Sequence, residues 1–200
     1  MKKIHSKRKI CRLCEGKKLS LVVPLAPTPV AEKYLSKNQL DQKELIAPLD
    51  LYMCKTCAHV QLLDVINPKF LYSNYTYSSG NSAGLVRHFK EYAENIIKKY
   101  KPKKRSLVVD IGSNDGTLLS FFKKNGFNVL GVDPAKEIAK KASSNGIKTL
   151  PKFMNLNLSK KIKKNYGLAD IVTANNAFAH GDDLIGLLKS IKNIMKPDGI

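Results

Sequence analysis

From residue 106 onward, apolar and polar positions follow two alternating periods. Short runs such as Leu107, Val108, Val109 and Ile111 are apolar at nearly every position, and between them lie stretches apolar at every third or fourth position. The first kind reads as a strand buried on both faces, the second as an amphipathic helix. The pattern predicts strands at 106–111, 128–132, 147–150 and 169–174. It predicts helices at 116–125, 135–144, 155–165 and 182–195, and it has Ile200 opening a fifth strand. Strict alternation of strand and helix predicts a parallel, doubly wound α/β sheet with right-handed crossovers.

Upstream the periods are weaker. Residues 82–100 are apolar on one helical face, begin after Asn81 or Ser82 and stop before Pro102, so a long amphipathic helix is predicted. Residues 64–80 read as an aromatic loop, with Phe70, Tyr72, Tyr75 and Tyr77 set among small polar residues. Spacing alone leaves two readings open there, an edge strand or a lid whose phenols reach a ligand. Residues 49–54 and 58–63 alternate like short strands, and residues 31–35 like one helical turn. Pro24, Pro27 and Pro29 exclude a helix and a central strand around them. Residues 1–10 read as a basic, frayed tail.

The cysteines change the picture of this first part. They form two pairs, Cys11-x-x-Cys14 and Cys54-x-x-Cys57. Each C-x-x-C turn offers two thiolates to one ion, and two turns complete a tetrahedral Zn²⁺ site. The 39-residue interval between the pairs is longer than a usual zinc ribbon and reads as an insertion. His59 reads as a neighbour of the site, since four sulfurs already close it. The expected organisation is a zinc-binding module at 1–68, an aromatic loop and linking helix at 69–105, and an α/β domain at 106–200.

Composition adds less. A hydrophobic share of 43% is ordinary for a globular chain, and no apolar run approaches a membrane span. The basic start is not followed by the apolar core of a signal peptide, so a cytoplasmic location is expected. The formal net charge of +19 raises a nucleic-acid partner. The lysines are scattered along every helix with few arginines among them, and bidentate phosphate recognition favours arginine, so the reading goes against nucleic acid.

The candidate chemistry centres on Asp110-x-Gly112-x-x-x-Gly116, which follows a strand and opens a helix. Gly112 allows close backbone approach to a ligand, and Gly116 allows helix and strand to pack. Asp133 ends the next strand, placed to accept from both hydroxyls of a ribose. A dinucleotide would need room for its pyrophosphate where Asn114 and Asp115 stand. A carboxylate there repels phosphate and suits a cationic amino-acid tail. That favours S-adenosylmethionine over a nicotinamide dinucleotide.

These residues resemble the zinc-containing sugar C-methyltransferases, which act on thymidine-diphosphate keto-deoxysugars. The resemblance runs along nearly the whole chain: Cys11-Arg12-Leu13-Cys14; Cys54-x-x-Cys57 followed by His59-Val60-Gln61-Leu62; Tyr75-Thr76-Tyr77-Ser78-Ser79; His88-Phe89; residues 109–119; Gly131-Val132-Asp133-Pro134; and residues 173–180. It implies a class I methyltransferase domain of Rossmann-like fold behind a small zinc module. It implies structural zinc on the four cysteines, and S-adenosylmethionine held by Gly112, Asn114, Asp115, Asp133 and Asn175, with Asp110 and Gly116 shaping the turn. It implies that Tyr75 and Tyr77 reach the sugar, with Asn176 and His180 near the reacting groups. The implied substrate is a nucleotide-linked keto-sugar, methylated through its enolate. The family continues past the equivalent of residue 200 with a domain carrying the proposed base. The expectation is therefore a truncated or split enzyme, inactive alone or completed by a partner chain, with strand four left as an unpaired edge. A non-catalytic zinc and S-adenosylmethionine binding fragment is the alternative. An RNA methyltransferase is disfavoured, because Asn175-Asn176-Ala177-Phe178 lacks the prolines of base-amine enzymes and no cysteine is spare.

Overall fold

A computed structural model of the chain describes residues 4–73 and 75–200, in two units, Met1–Tyr75 and Thr76–Ile200.

The first unit is built from very short strands: β1 (His5–Lys7), β2 (Leu19–Val23), β3 (Thr28–Pro29), β4 (Ile46–Ala47), β5 (Leu51–Cys54), β6 (Val60–Leu62) and β7 (Asp64–Ile66). A three-stranded antiparallel sheet has the order β2-β5-β6, and two-stranded pairs join β1 to β7 and β3 to β4. Residues 5–7 are therefore a strand rather than a frayed tail. His5 is tied to Asp64 at 2.7 Å, with Lys7 on the other oxygen at 3.8 Å. The helical turn expected at 31–35 is found instead as a 3-10 turn at Lys37–Gln39. Residues 64–72 are neither loop nor edge strand throughout: after β7 comes α1 (Pro68–Tyr72). Asn67 caps α1 by accepting from Lys69 N–H at 3.0 Å, and Pro68 takes the first helical position, where its missing N–H costs nothing.

The second unit is the regular one: α2 (Ala83–Tyr100), β8 (Leu107–Ile111), α3 (Thr117–Lys124), β9 (Asn128–Val132), α4 (Lys136–Ser144), β10 (Thr149–Leu150), α5 (Leu156–Tyr166), β11 (Ile171–Thr173) and α6 (Leu184–Ile194). The sheet is wholly parallel, in the order β10-β9-β8-β11. Every residue of β8 is buried, and its side chains alternate between two cores. Val108 joins Phe89 and Ala93 of α2 and Leu118, Leu119 and Phe122 of α3. Leu107 and Val109 join Leu158 and Ile162 of α5 and Ile194 of α6. A helix layer thus covers each face, which is the class I methyltransferase arrangement. Ile200 donates to Asp170 O at 2.9 Å and accepts from Val172 N–H at 2.8 Å, so it pairs along β11 as the opening of a fifth strand would.

The strand order fixes where a ligand can sit. The chain winds outward from β8 through β9 to β10, then returns to place β11 on the other side of β8. The crevice at the carboxyl ends of β8 and β11 is the switch point at which such sheets bind ligands.

Candidate functional site

In the first unit two knuckles are built alike. Cys11 donates its N–H to Gly16 O at 2.9 Å and its carbonyl accepts from Glu15 at 3.0 Å. Cys54 donates to His59 O at 3.0 Å and its carbonyl accepts from Ala58 at 2.8 Å. Glu15 (φ 59°) and Ala58 (φ 61°), each four residues after the leading cysteine, take the left-handed conformation that turns the chain back. The four Sγ atoms converge within 4.8 Å of one another. Cys11 and Cys57 are 3.7 Å apart, Cys14 and Cys54 3.6 Å. A tetrahedron with Zn–S bonds of about 2.3 Å has edges of about 3.8 Å, so the donors fit zinc.

Two of the four thiols, Cys11 and Cys54, are lowered in pKa as well as placed, while at Cys14 the Gly16 N–H is outweighed by the hydrogen bonds with Cys57, Cys54 and Cys11, which raise it. Burial pushes the Cys11 thiol up, but the N–H groups of Cys14 and Leu13 and the Gln61 amide outweigh it and bring it down to about 6. Gln61, buried on β6, donates to Cys11 Sγ at 3.1 Å and accepts from Arg12 N–H at 3.0 Å. In Cys54 burial is likewise outweighed, by the N–H groups of Thr56 and Cys57. His59 gives the cluster only its backbone carbonyl, and among the described residues the metal-binding group is the four cysteines alone.

In the second unit the turn after β8 is shaped by three left-handed residues, Gly112 (φ 75°), Asn114 (φ 50°) and Gly116 (φ 79°). A Cβ at Gly112 would lie 2.5 Å from that of Ala177, so the segment after β11 leans on the turn at a point with no room for a side chain. At Gly116 a Cβ would meet Ile147 of the core.

Asp133, buried at the end of β9, accepts from Asn114 N–H through one oxygen and from Ala135 N–H through the other, both at 2.8 Å. A carboxylate has about four acceptor positions, so two remain for a pair of hydroxyls. Burial raises the Asp133 carboxyl above its ordinary range against those two bonds. Asp110 is fully buried and accepts from Thr173 Oγ1 of β11 at 2.6 Å. Burial pushes it up to about 7; the Thr173 hydroxyl lowers it and the charge on Asp133 raises it further. Two buried carboxyls at the carboxyl ends of β8 and β9 make the site unfavourable for a phosphate.

Asp115 has a different task from the one its position suggested. Its Oδ1 accepts from Thr117 N–H at 3.2 Å and Thr117 Oγ1 at 2.6 Å, and its Oδ2 from Ser78 Oγ at 2.5 Å and Gly80 N–H at 2.8 Å. All four acceptor positions are filled by the protein, and none remains for an amino-acid tail. These hydrogen bonds outweigh burial and hold its carboxyl below the ordinary range, so it stays ionised. Asn114 turns the same way: its Nδ2 donates to Tyr77 O and its Oδ1 accepts from Ser79 N–H, both at 2.9 Å.

The structure thus gathers Gly112, Asn114, Asp115 and Gly116 in the turn after β8, beside Asp110 of β8 and Asp133 at the end of β9. Asn175 and Asn176 follow β11 beside it. Asn176 is exposed with φ 50°, while Asn175 Nδ2 is a buried donor without a protein partner. An orphaned buried donor at the switch point fits a missing ligand acceptor. Tyr77 reaches the turn through its carbonyl, and the residue is 40% exposed. His180 is exposed at the end of a 3-10 turn, Phe178–His180. Tyr75 closes the first unit, its ring edge-on to Tyr72 at 5.8 Å. Sequence reasoning missed Thr173 and Ser78, whose contacts join distant segments, and Thr117, whose contact with Asp115 is local. Only Thr117, two residues after an Asp at a helix start, carried a local signal.

Comparison with known proteins agrees with this construction. Residues 11–72 match the family described as "Putative zinc binding domain", and residues 85–200 match the family described as "Methyltransferase domain". The chain is similar to the C-methyltransferase NovU of Streptomyces niveus, 30% identical over 190 residues, which is 95% of this chain and 45% of that protein. It therefore spans about half the length of the curated relative it matches. Among solved structures it is similar to the PH0226 protein of Pyrococcus horikoshii OT3 (22% identity, TM-score 0.47, covering 62% of this chain and 55% of that one). It is also similar to the plantazolicin methyltransferase BpumL in complex with S-adenosylhomocysteine (17% identity, TM-score 0.43, covering 54% and 41%). Among the described residues no helix is long and apolar enough to cross a membrane. With four converging thiolates ahead of a Rossmann-like sheet and its acidic turn, the chain belongs to the S-adenosylmethionine-dependent methyltransferases that carry a zinc-binding domain.

Proposed function

We propose that these 200 residues form the zinc-bearing, cofactor-binding part of a C-methyltransferase acting on a nucleotide-linked keto-deoxysugar. The observation that carries the reading is Asp133, buried at the carboxyl end of β9 beside the cofactor turn, with two acceptor positions unused. The kind of substrate rests on the likeness to NovU and on the block at residues 75–79.

When bound, S-adenosylmethionine supplies an electrophilic methyl group on a sulfonium, which the carbon of a sugar enolate takes up. Asp133 accepts from the two ribose hydroxyls. Gly112 lets the turn close against Ala177, and Asn175 donates its free amide hydrogen to the ligand. Asp133 gives a negative field that favours a sulfonium over a neutral thioether, to which Asp110 adds only as it ionises. That same field makes product release easier than substrate release. Tyr77 orients the sugar, and Asn176 and His180 serve the reacting carbon from the segment after β11. The cysteines take no part in the chemistry and hold the first unit together.

Isothermal titration of the zinc-loaded chain with S-adenosylhomocysteine tests the cofactor half of the reading. Binding is expected, and Asp133→Ala is expected to weaken it about 100-fold, the loss of two charge-assisted hydrogen bonds. No binding to the wild-type chain sinks the reading. A methyl-transfer assay on a keto-deoxysugar nucleotide tests the other half. Binding without transfer assigns cofactor capture alone to these residues.

A further inference from the structure

Four hydrogen bonds fasten residues 77–80 to the cofactor turn, and none of them belongs to a helix or a strand. Asn114 uses its amide as a neighbouring strand would use its backbone: it donates to Tyr77 O and accepts from Ser79 N–H. Asp115 holds the next two residues, through Ser78 Oγ and Gly80 N–H. The fit is close. Ser78 and Ser79 are each 8% exposed, and a Cβ on Gly80 would come 3.0 Å from Asp115 Oδ2 and 3.3 Å from Thr117 Oγ1.

The same residues face the ligand from the other side. Asn114 gives its side chain to residues 77–80 and its backbone N–H to Asp133. A continuous chain of bonds thus runs from the Tyr77 peptide through Asn114 to the carboxylate that faces the ribose. The fastening also sets the start of α2. Ser78 O accepts from Asn81 N–H at 3.1 Å, Ser79 O from Ser82 N–H at 3.2 Å, and Ser82 Oγ caps the helix at Leu85 N–H. Residues 77–80 are held at both ends, by the turn and by a helix packed in the core.

We propose that Ser78 is a positioning residue: its hydroxyl on Asp115 locks residues 77–80 to the turn, so that cofactor binding and the placement of Tyr77 become one event. The proposal rests on the cofactor reading above. Binding at Asp133 orders the Asn114 peptide, and the ordered peptide holds the Tyr77 segment still. Reciprocity then requires that loosening the segment weaken the cofactor, because a coupling free energy acts equally in both directions. Thr117 completes the lock by occupying the second oxygen of Asp115, which fixes the direction in which the first can point.

The test uses the full chain with zinc bound, and compares wild type, Ser78→Ala and Ser78→Thr. Amide hydrogen exchange of residues 77–81 is measured without ligand and with S-adenosylhomocysteine, beside the ligand's affinity. In wild type the ligand is expected to slow exchange across 77–81. In Ser78→Ala that ligand-dependent slowing is expected to vanish and the affinity to fall about tenfold, the worth of one hydrogen bond to a charged group. Ser78→Thr, which keeps the hydroxyl, is expected to restore both. A merely structural serine would change exchange in the free chain and leave the ligand-dependent difference intact, which overturns the proposal. So does a Ser78→Ala chain that binds with wild-type affinity. Failure of wild type itself to bind overturns the cofactor reading instead, and the positioning role with it.

Discussion

The two units are stabilised by different means. In the second, apolar side chains fill both faces of the sheet, with Phe122, Leu119, Val108, Val109 and Leu130 fully buried. In the first, the buried hydrophobic residues among those described are Cys11, Ala47, Cys54 and Leu63, and two of these are the metal's own ligands. Leu21, Val22, Val23 and Leu25 lie 41–47% exposed on and just after β2. Strands of two to five residues close no core of their own. The lesson is that one chain uses area for stability in one place and coordination in another, and each should fail under its own insult.

Chelation should show this most strongly. Structural zinc contributes on the order of 10 kcal/mol to small domains of this kind. Stripping the metal is expected to abolish amide protection across β2, β5 and β6 while β8 and β9 stay protected. Retained protection in β5 after verified zinc loss would break the comparison. The reverse insult is Phe122→Ala, expected to cost about 3–5 kcal/mol in the second unit through the cavity it leaves. Its readout is denaturant unfolding followed through the sheet's amides, with the zinc content unchanged. A variant that also lost zinc would deny the units separate sources of stability.

A smaller effect sharpens the contrast within the second unit. Asp110 is raised from 3.8 to about 7 in the folded chain, so the folded state holds a proton that the unfolded state releases. This group's contribution is therefore intact below about pH 4 and is lost as pH rises toward 7. Asp110→Asn keeps an acceptor for Thr173 and removes the titration. Its melting temperature is expected to pull ahead of wild type between pH 4 and 7 and to hold a constant lead above that. The lead is on the order of 4 kcal/mol, with weaker S-adenosylhomocysteine binding beside it. Parallel melting curves across that pH range would show that Asp110 carries no strain.

The same division governs what could be read from the sequence. In the second unit the expected strand at 128–132 is β9 residue for residue, and the helices lie within a residue or two of their predicted ends. There the hydrophobic period and the core are the same fact. In the first unit β1, β2, β3, β4 and β7 went unseen: β2 was masked by the prolines that follow it, and the others have two or three residues, which carry no period and whose pairing is set by distant partners. The Asn67-Pro68 pair was a legible helix start and was overlooked beneath the aromatic pattern around it. At the site, Asp133 and the cysteines could be named from spacing, since their geometry follows from one turn or one strand end. The task of Asp115 could not, because the serine that occupies it lies 37 residues away.

The double allegiance of Asn114 and Asp115 also bears on how such a protein can change. Converting the turn to accept a dinucleotide would require small residues where these two stand, to admit a pyrophosphate. Each such replacement would release residues 77–80 and unseat the start of α2 before any phosphate was gained. Cofactor choice is in this way wired to the entry of α2. A redesign that swaps the ligand must first rebuild the helix entry, or evolution must pass through a chain that holds neither cofactor well.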